Sequence, residues 1–254
     1  MPAIALPAFT DNYIWLLSCS AGAVVVDPGA AAGVLAHLVA NDLNLHAIVL
    51  THHHHDHIGG TPQLIAAFPQ VRVIGPRDVR IAGITEYVGE GDHLQLGADL
   101  RMRVMAVPGH TLTHIAFFSE DELYCGDTLF SLGCGRLFEG SPAQMLKSLR
   151  RMADLDPSTR VHCGHEYTLA NARFAISVDP DNPHLQARSV QVRALRADGR
   201  PSLPCGLGDE LRCNPFLRTD APAVIAAVSA RAGRHLSDRI DVFAQLRVWK
   251  DGFA

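Results

Sequence analysis

The sequence predicts an α+β fold in two parts, with strands and helices alternating over residues 1–165 and helices alone over residues 166–254. Three observations predict it. Short β-branched or apolar runs alternate with helix-like stretches through the first part, strand ends repeatedly deliver a histidine or aspartate beside a glycine, and the rhythm changes after His165. A chain of 254 residues can bury a large core, and 48% hydrophobic content is that of a globular protein.

In chain order, residues 14–18 and 23–26 are strand-like runs joined by Ser20-Ala21-Gly22, a hairpin pattern that Asp27-Pro28-Gly29 stops. Residues 30–40 place Val34, Leu35, Leu38 and Val39 at helical spacing, which returns the chain to Ala47-Ile48-Val49-Leu50, a short apolar run that reads as a buried strand. A helix over 61–68 and a strand over 71–74 repeat the rhythm, and turns with short strands are expected over 89–100. The next strand, 102–107, ends at Pro108-Gly109, and further strands are expected at 115–118, 123–125 and 161–163. Ser141, Pro142 and Gln144 spell a capping box at the start of a helix. Helices over 166–178, 184–197, 222–232 and 238–250 finish the chain, with 201–215 expected as a proline- and glycine-bearing loop.

The run His52-x-His54-x-Asp56-His57 follows the buried strand and ends in Gly59-Gly60. Imidazoles and a carboxylate crowded on one loop suit zinc, with iron or manganese also open. On an extended loop alternate side chains share a direction, so His52 and His54 can clasp one ion while Asp56 and His57 turn toward a second. A leftover tag would sit at a terminus and would carry no aspartate in step. His53 and His55 face the other way and read as supporting or surface groups. His110 follows Pro108-Gly109, Asp127 follows Gly126 and His165 follows Gly164, so three further strand ends supply the remaining ligands, with Asp127 bridging. Arg136 is either a surface arginine or a guanidinium for a substrate carboxylate.

The histidine run resembles the signature of the metallo-β-lactamase superfamily, which implies an αβ/βα four-layer sandwich. Thr10-Asp11-Asn12-Tyr13, Gly126-Asp127-Thr128-Leu129-Phe130, the stretch from Gly133 to Gly140, Cys163-Gly164-His165-Glu166-Tyr167-Thr168 and Cys213-Asn214-Pro215-Phe216 resemble the glyoxalase II, or hydroxyacylglutathione hydrolase, family. That resemblance implies a metal-binding catalytic domain over 1–165 and a C-terminal helical domain over 166–254 that contributes to glutathione binding. His52, His54 and His110 would hold one divalent ion and Asp56, His57 and His165 the other, with Asp127 shared and zinc the expected metal. Arg247 and Lys250 match the family's Arg-x-x-Lys against the glutathione carboxylate, and Arg136 and Tyr167 match further glutathione contacts.

The implied activity is hydrolysis of S-D-lactoylglutathione to glutathione and D-lactate, the second step of methylglyoxal removal. Asp56 and Asp127 are then the catalytic carboxylates, Asp56 also able to accept a proton. Phe138 stands where some members carry tyrosine, and Thr113 where glycine is expected before His114, whose role is unassigned.

Net charge of −4 supplies no basic field for nucleic acid or an anionic membrane. Residues 166–254 carry 12 Lys or Arg against 10 Asp or Glu, while the rest of the chain carries 10 against 16, a weak asymmetry that suits an anionic substrate held by the helical part. The first Lys or Arg is Arg72, so the N-terminus lacks a signal or transit pattern and a cytoplasmic monomer acting on a small molecule is expected. The six cysteines lack paired spacing and read as free. Two alternatives stay open: a mono-iron glutathione persulfide dioxygenase and a non-catalytic metal-binding protein.

Overall fold

The structure is a computed structural model that describes residues 3–253. Two compact units make up the chain: Met1–Ala106 with Thr113–Gly126, and Val107–Leu112 with Asp127–Ala254.

The first unit begins with strands β1 (Ile4–Ala8), β2 (Asn12–Cys19) and β3 (Gly22–Val26), helix α1 (Ala32–Ala40) and β4 (Leu45–Val49). Two short helices, α2 (His55–Ile58) and α3 (Thr61–Ala67), precede β5 (Arg72–Pro76) and β6 (Glu86–Val88). These six strands form one sheet in chain order, antiparallel from β1 to β3 and parallel from β3 to β6. Strands β7 (His93–Leu96), β8 (Leu100–Ala106), β9 (Ile115–Ser119) and β10 (Glu122–Gly126) follow, each antiparallel to the next.

The β-branched runs of β3, β4 and β5 are buried on both faces, as parallel strands are. Val25, Ile48 and Val73 pack with Val34 and Leu38 of α1 and Leu64 of α3. Val24, Val26, Ala47 and Val49 of the opposite face are also buried, each valine contributing about 2 kcal/mol by leaving water. The turn after β2 bonds to the turn after β7, through Ser20 N to Asp99 Oδ1 at 2.8 Å and Ala98 N to Ser20 Oγ at 2.7 Å.

This topology sets the chemistry at one edge. Asp27, Thr51-His52 and Asp78 follow the carboxyl ends of the adjacent parallel strands β3, β4 and β5, the edge where open α/β sheets collect ligands.

The second unit carries the two-stranded β11 (Leu129–Phe130) and β12 (Gly133–Cys134), α4 (Pro142–Ala153) and β13 (Arg160–Cys163). Then come α5 (Thr168–Val178), α6 (Pro183–Ala197), β14 (Cys205–Gly206), α7 (Leu207–Cys213), α8 (Pro222–Ala232) and α9 (Arg239–Asp251). Ser141 and Gln144 form the expected reciprocal capping box at α4, and Asn182 and Asp238 cap α6 and α9 with their side chains. Phe174 of α5 stacks on Phe216 with ring centroids 6.0 Å apart, while Phe243 of α9 meets Phe216 edge-on at 5.8 Å and Trp249 meets Phe174 edge-on.

One expectation changes, and one small ladder was not expected. The expected loop over 201–215 contains β14 and α7, because Pro204, Gly206 and Gly208 signal turns while the seven-residue α7 is too short to show a period. The glycine-rich stretch after Asp127 is a two-residue-per-strand ladder, too brief to announce itself. No helix among the described residues is long and apolar enough to cross a membrane.

Candidate metal centre

Within the first unit, His52 leaves β4 and is fully buried. The Asp27 carboxylate accepts from Thr51 N at 2.7 Å and from the Thr51 hydroxyl at 2.7 Å. That hydroxyl therefore accepts from His52 Nδ1 at 2.9 Å, which puts the lone pair on Nε2, the nitrogen that could ligate a metal. His57 Nδ1 likewise donates to Asp27 Oδ2 at 3.0 Å and keeps Nε2 for a metal. One buried aspartate so sets the tautomers of two histidines, the arrangement that orients metal-binding imidazoles.

His52 Nε2 and His54 Nδ1 lie 3.2 Å apart. Two donors bonded at about 2.05 Å to one tetrahedral ion are separated by roughly 3.3 Å, so this spacing fits a shared metal. His54 is the N-cap of α2, and Asp56 and His57 lie in its single turn; an extended loop was expected there. The turn still brings Asp56 Oδ2 to 3.6 Å from His57 Nε2. Asn12 Nδ2 holds that carboxylate at 3.0 Å. Gly29 admits this turn: a Cβ there would lie 1.8 Å from the Asp56 carbonyl oxygen. His55 is exposed, whereas His53 sits 3.5 Å from Asp78 Oδ2.

Within the second unit, Asp127 Oδ2 lies 3.4 Å from His110 Nε2 and 3.4 Å from His165 Nε2. These separations are long for charge-assisted hydrogen bonds, which run about 2.7–2.9 Å. They match the edge between two ligands of one ion, about 3.4 Å for bonds near 2.1 Å. This oxygen is equidistant from the two imidazoles. His110 Nδ1 donates to the Arg136 carbonyl at 2.8 Å, so its Nε2 carries the lone pair. Gly135 lets the chain close over this ring, since a Cβ there would lie 1.9 Å from the Asp127 carbonyl oxygen.

The expected glutathione contacts also lie in this unit. Arg136 is two-thirds exposed and meets Asp251 at 3.7 Å. Arg247 is only 5% exposed: Nη1 donates to the Cys134 carbonyl at 2.8 Å, and Nη2 to Asp251 Oδ1 at 2.9 Å. Lys250 Nζ sits 5.5 Å from the Phe174 ring centre. Burial, then the charges of Arg247 and Arg136, push its ammonium below the usual lysine range. Asp251, which meets both arginines, offsets part of this positive field. Tyr167 stacks on the His165 ring at 4.6 Å with a 6° tilt, while Phe130 meets Tyr167 edge-on. Burial pushes the Cys134 thiol up to about 11, which excludes it as a nucleophile at neutral pH. All six cysteines are free, as expected.

Asp27 was legible only as part of a turn, and its role depends on β3 lying beside β4. Its φ of +52° would have been a signal in the backbone, not in the sequence.

Residues 9–165 match the metallo-beta-lactamase superfamily, and residues 166–253 match the hydroxyacylglutathione hydrolase C-terminus. The chain is 52% identical, over 100% of its length and 99% of the relative's, to the hydroxyacylglutathione hydrolase of Xanthomonas axonopodis pv. citri (strain 306). Among solved structures, ETHE1 from Myxococcus xanthus is 27% identical with a TM-score of 0.60, over 84% of this chain and 99% of that one. TTHA1623, solved in a di-iron-bound form, is 25% identical with a TM-score of 0.62, over 85% of this chain and 100% of that one. The fold is that of the metallo-beta-lactamase superfamily, and within it the chain belongs to the hydroxyacylglutathione hydrolase family.

Proposed function

We propose that this protein is a thioesterase that hydrolyses S-(2-hydroxyacyl)glutathione, chiefly S-D-lactoylglutathione, to glutathione and D-lactate. The observation that carries the reading is the pairing of the Asp127 carboxylate oxygen, midway between two histidines, with a cluster of cations in a unit whose helices match the hydrolase family's own C-terminus. Residues 1–165 are assigned the metal chemistry and residues 166–254 a share of glutathione binding.

His52, His54 and His110 would hold one divalent ion and Asp56, His57 and His165 a second, Asp127 serving both, with zinc the expected metal and iron or manganese accepted by the same donors. Such ions supply hydroxide at neutral pH and polarise a carbonyl. The chain's own groups do the rest. Asp56, whose carboxylate accepts from Asn12, would take a proton from the attacking hydroxide as the tetrahedral adduct forms. Asp27 keeps His52 and His57 in the tautomers that ligation needs. Arg136, Lys250 and Arg247 attract the glutathione carboxylate, and Tyr167 flanks it. The leaving thiolate has a pKa of about 8.5 and needs no dedicated acid.

The carboxylate contacts are tested by comparing S-D-lactoylglutathione with the same acyl group on a short thiol that lacks glutathione's carboxylates. The short ester is expected to be a poor substrate. Lys250→Ala and Arg136→Ala are each expected to raise KM for the glutathione ester about tenfold with kcat within about twofold, the signature of lost uniform binding. Equal turnover of both esters would refute glutathione recognition. Oxygen uptake with one iron per chain would favour a persulfide dioxygenase instead.

A further inference from the structure

In the unit formed by residues 1–106 and 113–126, we propose that Asp78 is a positioning residue for the metal-binding histidine loop and that Thr113 completes its clamp. The inference rests on His52 and His54 being ligands. Asp78 follows β5 at the sheet edge that also delivers His52, and is only 5% exposed. Arg80 takes both of its oxygens, Nε to Oδ1 at 2.8 Å and Nη2 to Oδ2 at 2.7 Å, and adds its backbone N–H to Oδ1 at 3.0 Å. A fork on both oxygens fixes the plane of the carboxylate.

With the plane fixed, Oδ2 has two further neighbours. The Thr113 hydroxyl donates to it at 2.6 Å, and His53 Nδ1 lies 3.5 Å away. His53 is the residue between the ligands His52 and His54. Thr113 precedes His114, whose ring lies parallel to that of His52, 4.5 Å away with a 17° tilt. His114 Nδ1 donates to the Ile115 carbonyl at 3.1 Å, and Ile115 N donates to the Thr51 carbonyl at 3.0 Å, so the stacked ring is tied to the same strand end. One carboxylate thereby holds Thr113, next to the ring that stacks against His52, and lies against His53, the residue between the two candidate ligands. The fork from Arg80 alone would satisfy a buried aspartate; the Thr113 hydroxyl, at a position where glycine was expected, gives the carboxylate its hold on the His114 side.

Groups that directly orient metal ligands are worth about 10–100-fold in metal affinity, and Asp78 acts through intervening residues, so about three- to tenfold is expected. The experiment uses the full chain with three substitutions: Thr113→Val removes the hydroxyl but keeps the shape, Thr113→Ser restores it, and Asp78→Asn weakens the acceptor. Zinc affinity is read by competition with a chromophoric chelator, ligand geometry by the visible spectrum of the cobalt(II)-loaded protein, and folding by melting temperature. Thr113→Val and Asp78→Asn are expected to bind zinc more weakly by that factor and to shift the cobalt bands, and Thr113→Ser to match wild type in both. Lower melting with wild-type zinc affinity and an unchanged cobalt spectrum would reduce the clamp to a structural role and overturn the proposal. If Asp78→Asn fails to fold, the Thr113 pair decides alone. Absent thioester hydrolysis in the zinc-loaded wild type would refute the proposed function without touching these readouts.

Discussion

Asp127→Ala is expected to lower thioester hydrolysis by at least about 10³-fold, the scale seen when one member of a unit of catalytic groups is removed. The loss should appear in kcat, and the bound metal should fall with it. Asp127 Oδ2 lies at equal distances from the Nε2 atoms of His110 and His165, and both rings are themselves held, His110 by the Arg136 carbonyl and His165 by the stacked Tyr167. Removing the oxygen leaves two imidazoles directed at a point with no anion. Asp127→Asn is the sharper variant, because it keeps the shape and one oxygen but removes the charge. Metal analysis beside steady-state kinetics checks both, and wild-type kcat in Asp127→Ala at full metal loading would dismiss the bridging assignment.

The largest stability effect is expected at Glu210, which is completely buried in α7. Its carboxylate accepts from the Ser131 hydroxyl at 2.7 Å, Leu132 N at 2.7 Å and Asn214 Nδ2 at 3.0 Å. Glu210→Ala leaves those donors facing a cavity, at a cost of about 3–4 kcal/mol. In a chain of this size that lowers the melting temperature by roughly 10 °C. The same bonds hold the turn between β11 and β12, so KM for the thioester should rise as well.

Burial pushes the Glu210 carboxyl above its ordinary value of 4.5. The folded chain therefore keeps this proton to higher pH than the unfolded chain does, and the stability that Glu210 provides declines as pH rises above 4.5. The gap between wild type and Glu210→Ala should narrow in the same direction. Thermal melts at pH 4.5 and pH 8 test this, and a gap that widens with pH would contradict it.

Much of the fold was legible because its signals are local. The β-branched runs of β3 to β5, the period of α1, and the Ser141–Gln144 box each lie within a few residues, and each forms the expected element. The candidate donors could be named for the same reason, since glycine beside histidine or aspartate at a strand end is a short-range pattern. What the sequence hid depends on partners far along the chain. Asp27 acts on His57 and Thr51 only because β3 pairs with β4 in parallel, and Asp78 after β5 meets Thr113 before β9 although these strands belong to different sheets. Glu210 meets Ser131 across 79 residues, and α7 is too short for its burial to show as a period. Arg247 was expected as a ligand contact from its spacing with Lys250, whereas its burial and its bond to the Cys134 carbonyl, 113 residues away, could not be read from that spacing.

The central claim is best tested by stripping the protein of metal with a chelator, restoring zinc in measured increments, and following hydrolysis of S-D-lactoylglutathione against the number of ions bound per chain. The stripped protein should be inactive, and activity should return with zinc and level off at two ions per chain. A fully loaded protein that leaves the thioester intact, or full activity with a single ion bound, would contradict the account.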